Sequence, residues 1–222
     1  MNRVSLIAHT TPHTNKRAAG IKNCTDLVAY CARVSNPNNQ FNTDSASKLL
    51  NYCIKNNHWS IFEMANITLE IQTTRDIGRQ ILRHRSFSFQ EFSQRYASVE
   101  NMKITLREAR LQDKKNRQNS IEIENGDIQN ATWKNSQQYV WQAAIIEYER
   151  ALKEGIAKEV ARALLPEGLT SSTMYMNGTL RSWMHYIKLR TGNGTQKEHI
   201  DVARKCAASI APIFPMITEL VQ

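Results

Sequence analysis

The sequence predicts an α+β fold in a single domain spanning residues 1–222, with helices outnumbering strands. Three observations carry this. Residues 66–73, NITLEIQT, alternate apolar and polar side chains, the period of a strand with one buried face. Several other stretches repeat their apolar residues at helical spacing. No internal repeat or low-complexity segment divides the 222 residues, a length sufficient for one substantial core.

Taken in order, Val4–His9 alternates weakly and reads as a first strand. Residues 23–33 predict a helix with Thr25 as its cap and Leu27, Val28 and Cys31 on one face. The Asn-rich stretch around Pro37 is a loop, and Asp44 or Ser45 caps a helix to about Asn56. HWSIFE at 58–63 is a connector into the 66–73 strand. Residues 75–85 return to helical spacing, with Arg75, Arg79 and Arg83 in a basic stripe. Residues 102–106 suggest another strand, and the polar stretch 107–130 reads as a mobile insertion. Helices are expected over 133–153 and 157–165, the latter ended by Pro166. A strand at 169–177 precedes a helix over 179–190, and a last long helix covers 196–210.

Composition is that of an ordinary globular protein: 41% apolar and 22% charged residues. No apolar run is long enough to span a membrane, and no secretory signal precedes a cleavage site, so a cytoplasmic protein is expected. Cys24, Cys31, Cys53 and Cys206 lack CxxC spacing; they read as free thiols, and no metal site is expected. The net charge of +9 admits nucleic acid, a membrane surface or a small polyanion as partner. The arginines decide for the last. Arg33, Arg83, Arg162, Arg181 and Arg190 stand singly beside apolar residues, which suits bidentate recognition of phosphate or carboxylate. Common nucleotide-binding devices, such as a phosphate loop or a GxGxxG turn, are absent.

The densest chemistry lies at 83–96, RHRSFSFQEFSQRY. Arg83, His84 and Arg85 at a helix end point in three directions, so they bracket a ligand or serve two. Serine hydroxyls, Gln90 and Glu91 follow, and Arg95 offers a fork to a second anion. A flat heterocycle carrying phosphate matches that inventory. This stretch resembles the signature of the flavin-dependent thymidylate synthases, RHRxxSxxxxSxRY, with Arg83, His84, Arg85, Ser88, Ser93, Arg95 and Tyr96 at its fixed positions. HWSIFE at 58–63, EVARALLP at 159–166 and LRSWMHYIKLR at 180–190 are similar to further blocks of that family.

The resemblance implies a central, mostly antiparallel sheet flanked by helices. It implies methylation of dUMP to dTMP, with 5,10-methylenetetrahydrofolate giving the carbon and FAD, reduced by NADPH, giving the hydride. It implies a homotetramer with active sites shared between subunits, and neither nucleic acid nor a membrane as partner. Carried over by position, it implies FAD contacts from Ser60, Arg83, His84, Arg85, Glu91, Thr179, Arg181 and His185. The dUMP site would comprise Gln80, Arg83, Glu91, Ser93, Gln94, Arg95, Arg162 and Arg190. Arg190 would be catalytic, facing the pyrimidine and favouring ionisation at N3, which makes C5 more nucleophilic. Thr179 and His185 stand where many members carry asparagine.

Plainer readings stand beside these. Glu91 could be an ion-pair partner of Arg95, Arg162 could cap a helix end, and His58 could be a packed connector. Arg33, Arg75 and Arg79 read as surface or framework charges. Two alternatives to the enzyme are a basic nucleic-acid-binding module, with Phe87, Phe89 and Phe92 stacking on bases, and an inactive nucleotide-sensing relative. Glu91 at the centre of the patch and the lack of an extended basic track argue against the first.

Overall fold

The computed structural model describes residues 2–13, 20–97, 104–124 and 126–222. Strand β1 is Arg3–His9. Helix α1, Cys24–Ala32, is capped by Asn23, whose side chain accepts from the Asp26 N–H; Asn23 takes the place expected for Thr25. Helix α2 is Ala46–Lys55. A 3-10 turn at Ser60–Met64 leads into β2, Asn66–Thr74, and α3, Arg75–Ile81, follows without a linker. Then come β3, Ser88–Glu91, and the hairpin strands β4, Arg110–Gln112, and β5, Ser120–Glu122. Helix α4 is Asp127–Lys153; α5, Lys158–Ala161, runs into a 3-10 turn at Arg162–Leu164. Strand β6, Ser171–Thr179, passes directly into α6, Leu180–Arg190, and α7 is Lys197–Ile210.

The main sheet has the order β1-β2-β6-β3 and every pairing in it is antiparallel. β2 and β6 pair along their whole length, from Asn66 opposite Thr179 to Thr74 opposite Ser171. Because they run in opposite directions, α3 and α6 leave the sheet from opposite ends. The inward positions are Ile67, Leu69 and Ile71 on β2 and Met174 and Met176 on β6, all fully buried. They meet Phe62, Trp183 and Ile187, and Val202, Cys206 and Ile210 of α7. Burying side chains of this size drives the fold at roughly 25 cal/mol per Å² of apolar surface. The Trp183 indole N–H donates to the Ile67 carbonyl at 3.1 Å, so the largest core side chain leaves no polar atom unpaired.

Two expectations differ from what is observed, and one stretch holds a hairpin that was not expected. The helix expected over 75–85 stops at Ile81, because the chain beyond it joins the sheet: Ser88 lies opposite Asn177 and Glu91 opposite Met174. Phe87 anchors that return, packing on Trp183 at 4.8 Å and directly over Gly178, where a Cβ would lie 2.4 Å from the ring. Of the strand expected at 102–106, residues 102 and 103 lie outside the described residues, and Ile104 makes one isolated bridge to Thr170. The polar stretch after it carries the β4–β5 hairpin. Two of its basic residues are tied down: Arg107 to Asp76, and Arg110 to Glu198, each at 2.6 Å.

Helix α4 is 27 residues long, about 40 Å at 1.5 Å per residue. Near its C-terminal end it buries Tyr148 and Ala151 against Ala161 and Leu165. Trp133, Tyr139, Val140 and Ile146 along it are exposed.

Candidate active site

The fold gathers the arginine-rich residues into three groups. The first joins α3, α6 and α7. Arg190, at the end of α6, donates from Nε to Nε2 of His84 at 2.9 Å. His84 is therefore an acceptor at Nε2 and carries its proton on Nδ1. Its ring stands edge-on to Tyr186 at 4.8 Å. The Tyr186 hydroxyl is 3.0 Å from Nε2 of His199, and Nδ1 of His199 is 3.2 Å from the Gln80 amide oxygen. Gln80 in turn donates to Gln196 at 2.8 Å. Arg83 and Arg85 flank His84 and are exposed.

Both histidines are held neutral. Burial, then the charges of Arg190 and Arg83, takes His84 from 6.5 down to about 4. Burial, then Arg190 and His84, takes His199 from 6.5 to about 3. The unfolded chain therefore binds more protons than the folded one between pH 6.5 and these lowered values. Stability is complete above pH 6.5 and is lost as pH falls through that window. For fully buried His199 the slope approaches about 1.4 kcal/mol per pH unit, with a smaller share from half-buried His84. Urea midpoints measured from pH 7 to pH 4 should fall, and His199→Gln should flatten the fall. An unchanged slope in that variant counts against the assignment.

The second group lies around Glu91. A cavity of about 370 Å³ is lined by Arg75, Arg79, Gln94, Glu159, Arg162 and Glu167, among others. Arg75 is only 6% exposed, yet its Nη1 has no hydrogen-bond partner; Glu91 Oε1 lies 3.7 Å away, too far for one. Gln94 is 3% exposed and its Nε2 is likewise unpartnered. Glu91 accepts from Ser172 at 3.0 Å and lies 3.8 Å from Arg79. Its ion pairs are thus with Arg75 and Arg79, whereas Arg95 pairs with Glu159 at 3.2 Å. Arg162 donates from Nε to the Glu159 carbonyl. Ser93 accepts from the Arg95 N–H at 3.4 Å. Arg75 and Gln94 both line this cavity, and each keeps one buried donor without a partner, which is costly.

The third group surrounds the start of α6. Thr179 caps the helix, its hydroxyl accepting from the Ser182 N–H at 3.2 Å. Arg181 is paired with Glu63 at 2.5 Å. The exposed His185 ring lies 4.7 Å from Trp59, beside Ser60 at the start of the 3-10 turn. His58 sits edge-on to Tyr52 at 6.0 Å.

The expected dUMP residues are thus divided. Gln80 and Arg190 belong to the first group, and Glu91, Gln94 and Arg162 to the second. Successive residues on a helix point about 100° apart, which is how Arg79 and Gln80 serve different groups. Sequence reasoning missed Arg75. It reads as one member of a solvated stripe, but the first turn of α3 starts at the sheet and turns that side chain inward. It missed His199 as well, whose only sequence mark is a place on the apolar side of α7.

An arginine-lined cavity with unsatisfied buried donors, on an α+β fold, marks a protein suited to an anionic ligand. Comparison with known proteins goes further. A family model described as thymidylate synthase complementing protein matches residues 18–216. A probable flavin-dependent thymidylate synthase of Paramecium bursaria Chlorella virus 1 is 52% identical over 200 residues, covering 90% of this chain and 91% of the relative. The flavin-dependent thymidylate synthase of a Synechocystis strain is 49% identical over 192 residues, covering 86% of each. Among solved structures, a UMP/dUMP methylase, PolB, from Streptomyces cacaoi bound with 5-Br dUMP superposes with a TM-score of 0.81. It is 26% identical and covers 99% of this chain and 94% of that one. The chain belongs to the flavin-dependent thymidylate synthases.

Proposed function

We propose that the whole chain acts as one catalytic domain that methylates dUMP to dTMP in the cytoplasm. The carbon donor is 5,10-methylenetetrahydrofolate, and FAD reduced by NADPH is the hydride source. Family membership carries the reaction class. The observation that carries the substrate is the Arg75–Arg162 cavity, lined by three arginines and by two residues, Arg75 and Gln94, that each keep an unpartnered buried donor. A nucleotide phosphate satisfies all of them. Arg162, Gln94, Ser93 and Arg95 hold the phosphate and sugar, and Glu91 fixes the arginines around them.

The donor set also fits FAD. Arg83, Arg85 and Arg181 suit its pyrophosphate, the rings of His84 and His185 suit its flat ring systems, and the Ser60 and Thr179 hydroxyls suit its polar edges. Glu91, also a candidate FAD contact, lies with Arg75, Arg79 and Ser172, and would meet the cofactor of another subunit's first group. When bound and reduced, FAD supplies the hydride that completes the methyl group. Arg190, held by a neutral imidazole, faces the pyrimidine and stabilises negative charge developing at N3. Gln80 orients the nucleotide. Among the described residues no hydrogen bond or ion pair joins the Gln80–Arg190 group to the Glu91–Arg162 group. That division favours a homotetramer in which one subunit's second group completes another's first. The exposed Trp133, Tyr139, Val140 and Ile146 of α4 offer it an apolar surface.

The test is a flavin spectrum of the purified protein titrated with dUMP, followed by assay of dTMP from dUMP, methylenetetrahydrofolate, FAD and NADPH. A colourless protein that makes no dTMP rejects the reading. Arg75→Met tests the cavity separately. Loss of a charge-assisted hydrogen bond, about 1.5–3 kcal/mol, should raise the KM for dUMP about 10- to 100-fold. Flavin content should stay at the wild-type level. An unchanged KM would return Arg75 to a framework role.

A further inference from the structure

One chain of hydrogen bonds runs from the core to the surface and has a single possible direction. Glu198, in the first turn of α7, receives Arg110 Nη2 on Oε1 at 2.6 Å and Gln196 Nε2 on its other oxygen at 2.9 Å. An ionised carboxylate can only accept. Gln196 must therefore turn its NH2 to Glu198 and its oxygen to Gln80. Gln80 must then turn its NH2 to Gln196, at 2.8 Å, and its oxygen to His199, at 3.2 Å. His199, neutral and fully buried, must carry its proton on Nδ1, which leaves Nε2 to accept from the Tyr186 hydroxyl at 3.0 Å. Every link follows from the charge at one end.

That direction decides what Gln80 offers a ligand. Its oxygen is engaged by His199 and one N–H by Gln196, so its second N–H is the group left for a ligand. Were the amide turned over, an oxygen lone pair would occupy that place, and a donor would become an acceptor. We propose that Glu198 is a positioning residue which, through Gln196, fixes Gln80 as a hydrogen-bond donor to an oxygen of the nucleotide. The inference rests on Gln80 meeting the nucleotide, as argued under the proposed function. It also gives Arg110 a part, since its guanidinium holds Glu198 ionised against the effect of burial, with Gln196 adding to it. The β4 strand thereby reaches the site through four side chains without touching it.

Glu198→Gln keeps the shape and reverses the dictated direction: Arg110 only donates, so the new amide turns its oxygen to Arg110 and its NH2 to Gln196, which must then present its own oxygen. The expected result is a KM for dUMP raised at least fivefold, with flavin content and melting temperature near wild type and kcat within about twofold. The double variant Gln196→Glu with Glu198→Gln puts an acceptor-only group directly against Gln80 and should bring the KM back toward wild type. A wild-type KM in Glu198→Gln, or a double variant no better than the single one, overturns the proposal. Nitrogen-15 spectra of histidine-labelled, substrate-free protein give a second readout, with the His199 signals identified by their loss in His199→Gln. Wild type should show His199 protonated on Nδ1 and bare on Nε2, and Glu198→Gln should shift it toward the opposite tautomer. A bare Nδ1 in the wild type overturns the direction. That readout needs no nucleotide. Gln80→Ala with an unchanged KM would instead reject the substrate contact alone, leaving the spectrum to judge the chain.

Discussion

Arg190→Ala should lower kcat by about 100- to 1,000-fold while leaving flavin content near wild type, the size of effect seen when one preorganised donor to a developing anion is removed. The geometry supports a loss of turnover above a loss of binding. Arg190 sits at the last residue of α6, a helix whose Trp183, Tyr186 and Ile187 are buried in the core. Its guanidinium is held at one nitrogen by His84, which is neutral and so accepts without competing for charge. The remaining N–H groups are free to face a substrate, already oriented. Arg190→Lys should recover little, because an ammonium cannot accept the same fixed orientation or present a fork. Single-turnover reduction and methyl transfer, measured beside flavin absorbance, check this. A fall in kcat below tenfold, or a parallel loss of flavin, would move Arg190 out of the catalytic role.

Arg83→Ala should fail differently, with flavin affinity and turnover dropping together by about 10- to 100-fold, the value of one or two charge-assisted hydrogen bonds. Arg83 lies just past the end of α3, where the helix gives way to the loop that becomes β3, and its side chain is exposed in the single chain. Its neighbour His84 is fixed by Arg190 and Tyr186, so the loop keeps its shape when Arg83 is shortened. Flavin titration and steady-state assay at saturating flavin separate the two losses. If added flavin restores full turnover, Arg83 serves FAD alone; if flavin content is unchanged, the FAD assignment is wrong.

The sequence revealed those parts of the fold whose pattern is local. β2 was legible because Ile67, Leu69 and Ile71 face one side, and α6 because its apolar residues recur at helical spacing. β3 was not, because its pairing partner is β6, far along the chain, and the Ser-Phe alternation of SFSF covers only four residues. The β4–β5 hairpin was not, since charged tethers hold it and no apolar face does. The site divides along the same line. The signature residues at 83–96 stand out in any reading of the chain. Arg75 does not, because only the tertiary fold decides that its side chain turns inward against Glu91 while Arg79 stays half in solvent. Glu91 itself reads as a partner for Arg95, its neighbour in sequence, but the sheet hands it to Arg75 and Arg79 and leaves Arg95 to Glu159.

The division of the nucleotide residues between two groups has a genetic consequence. If sites are completed across subunits, a chain crippled at Arg190 and a chain crippled at Arg162 carry faults in different halves. Mixed in one assembly, some sites would draw a sound half from each chain and others would collect both faults. Two inactive alleles should therefore complement each other when co-expressed, whereas two alleles damaged within the same group should not. Activity of co-expressed pairs no higher than that of either variant alone would mean that each chain builds its own site.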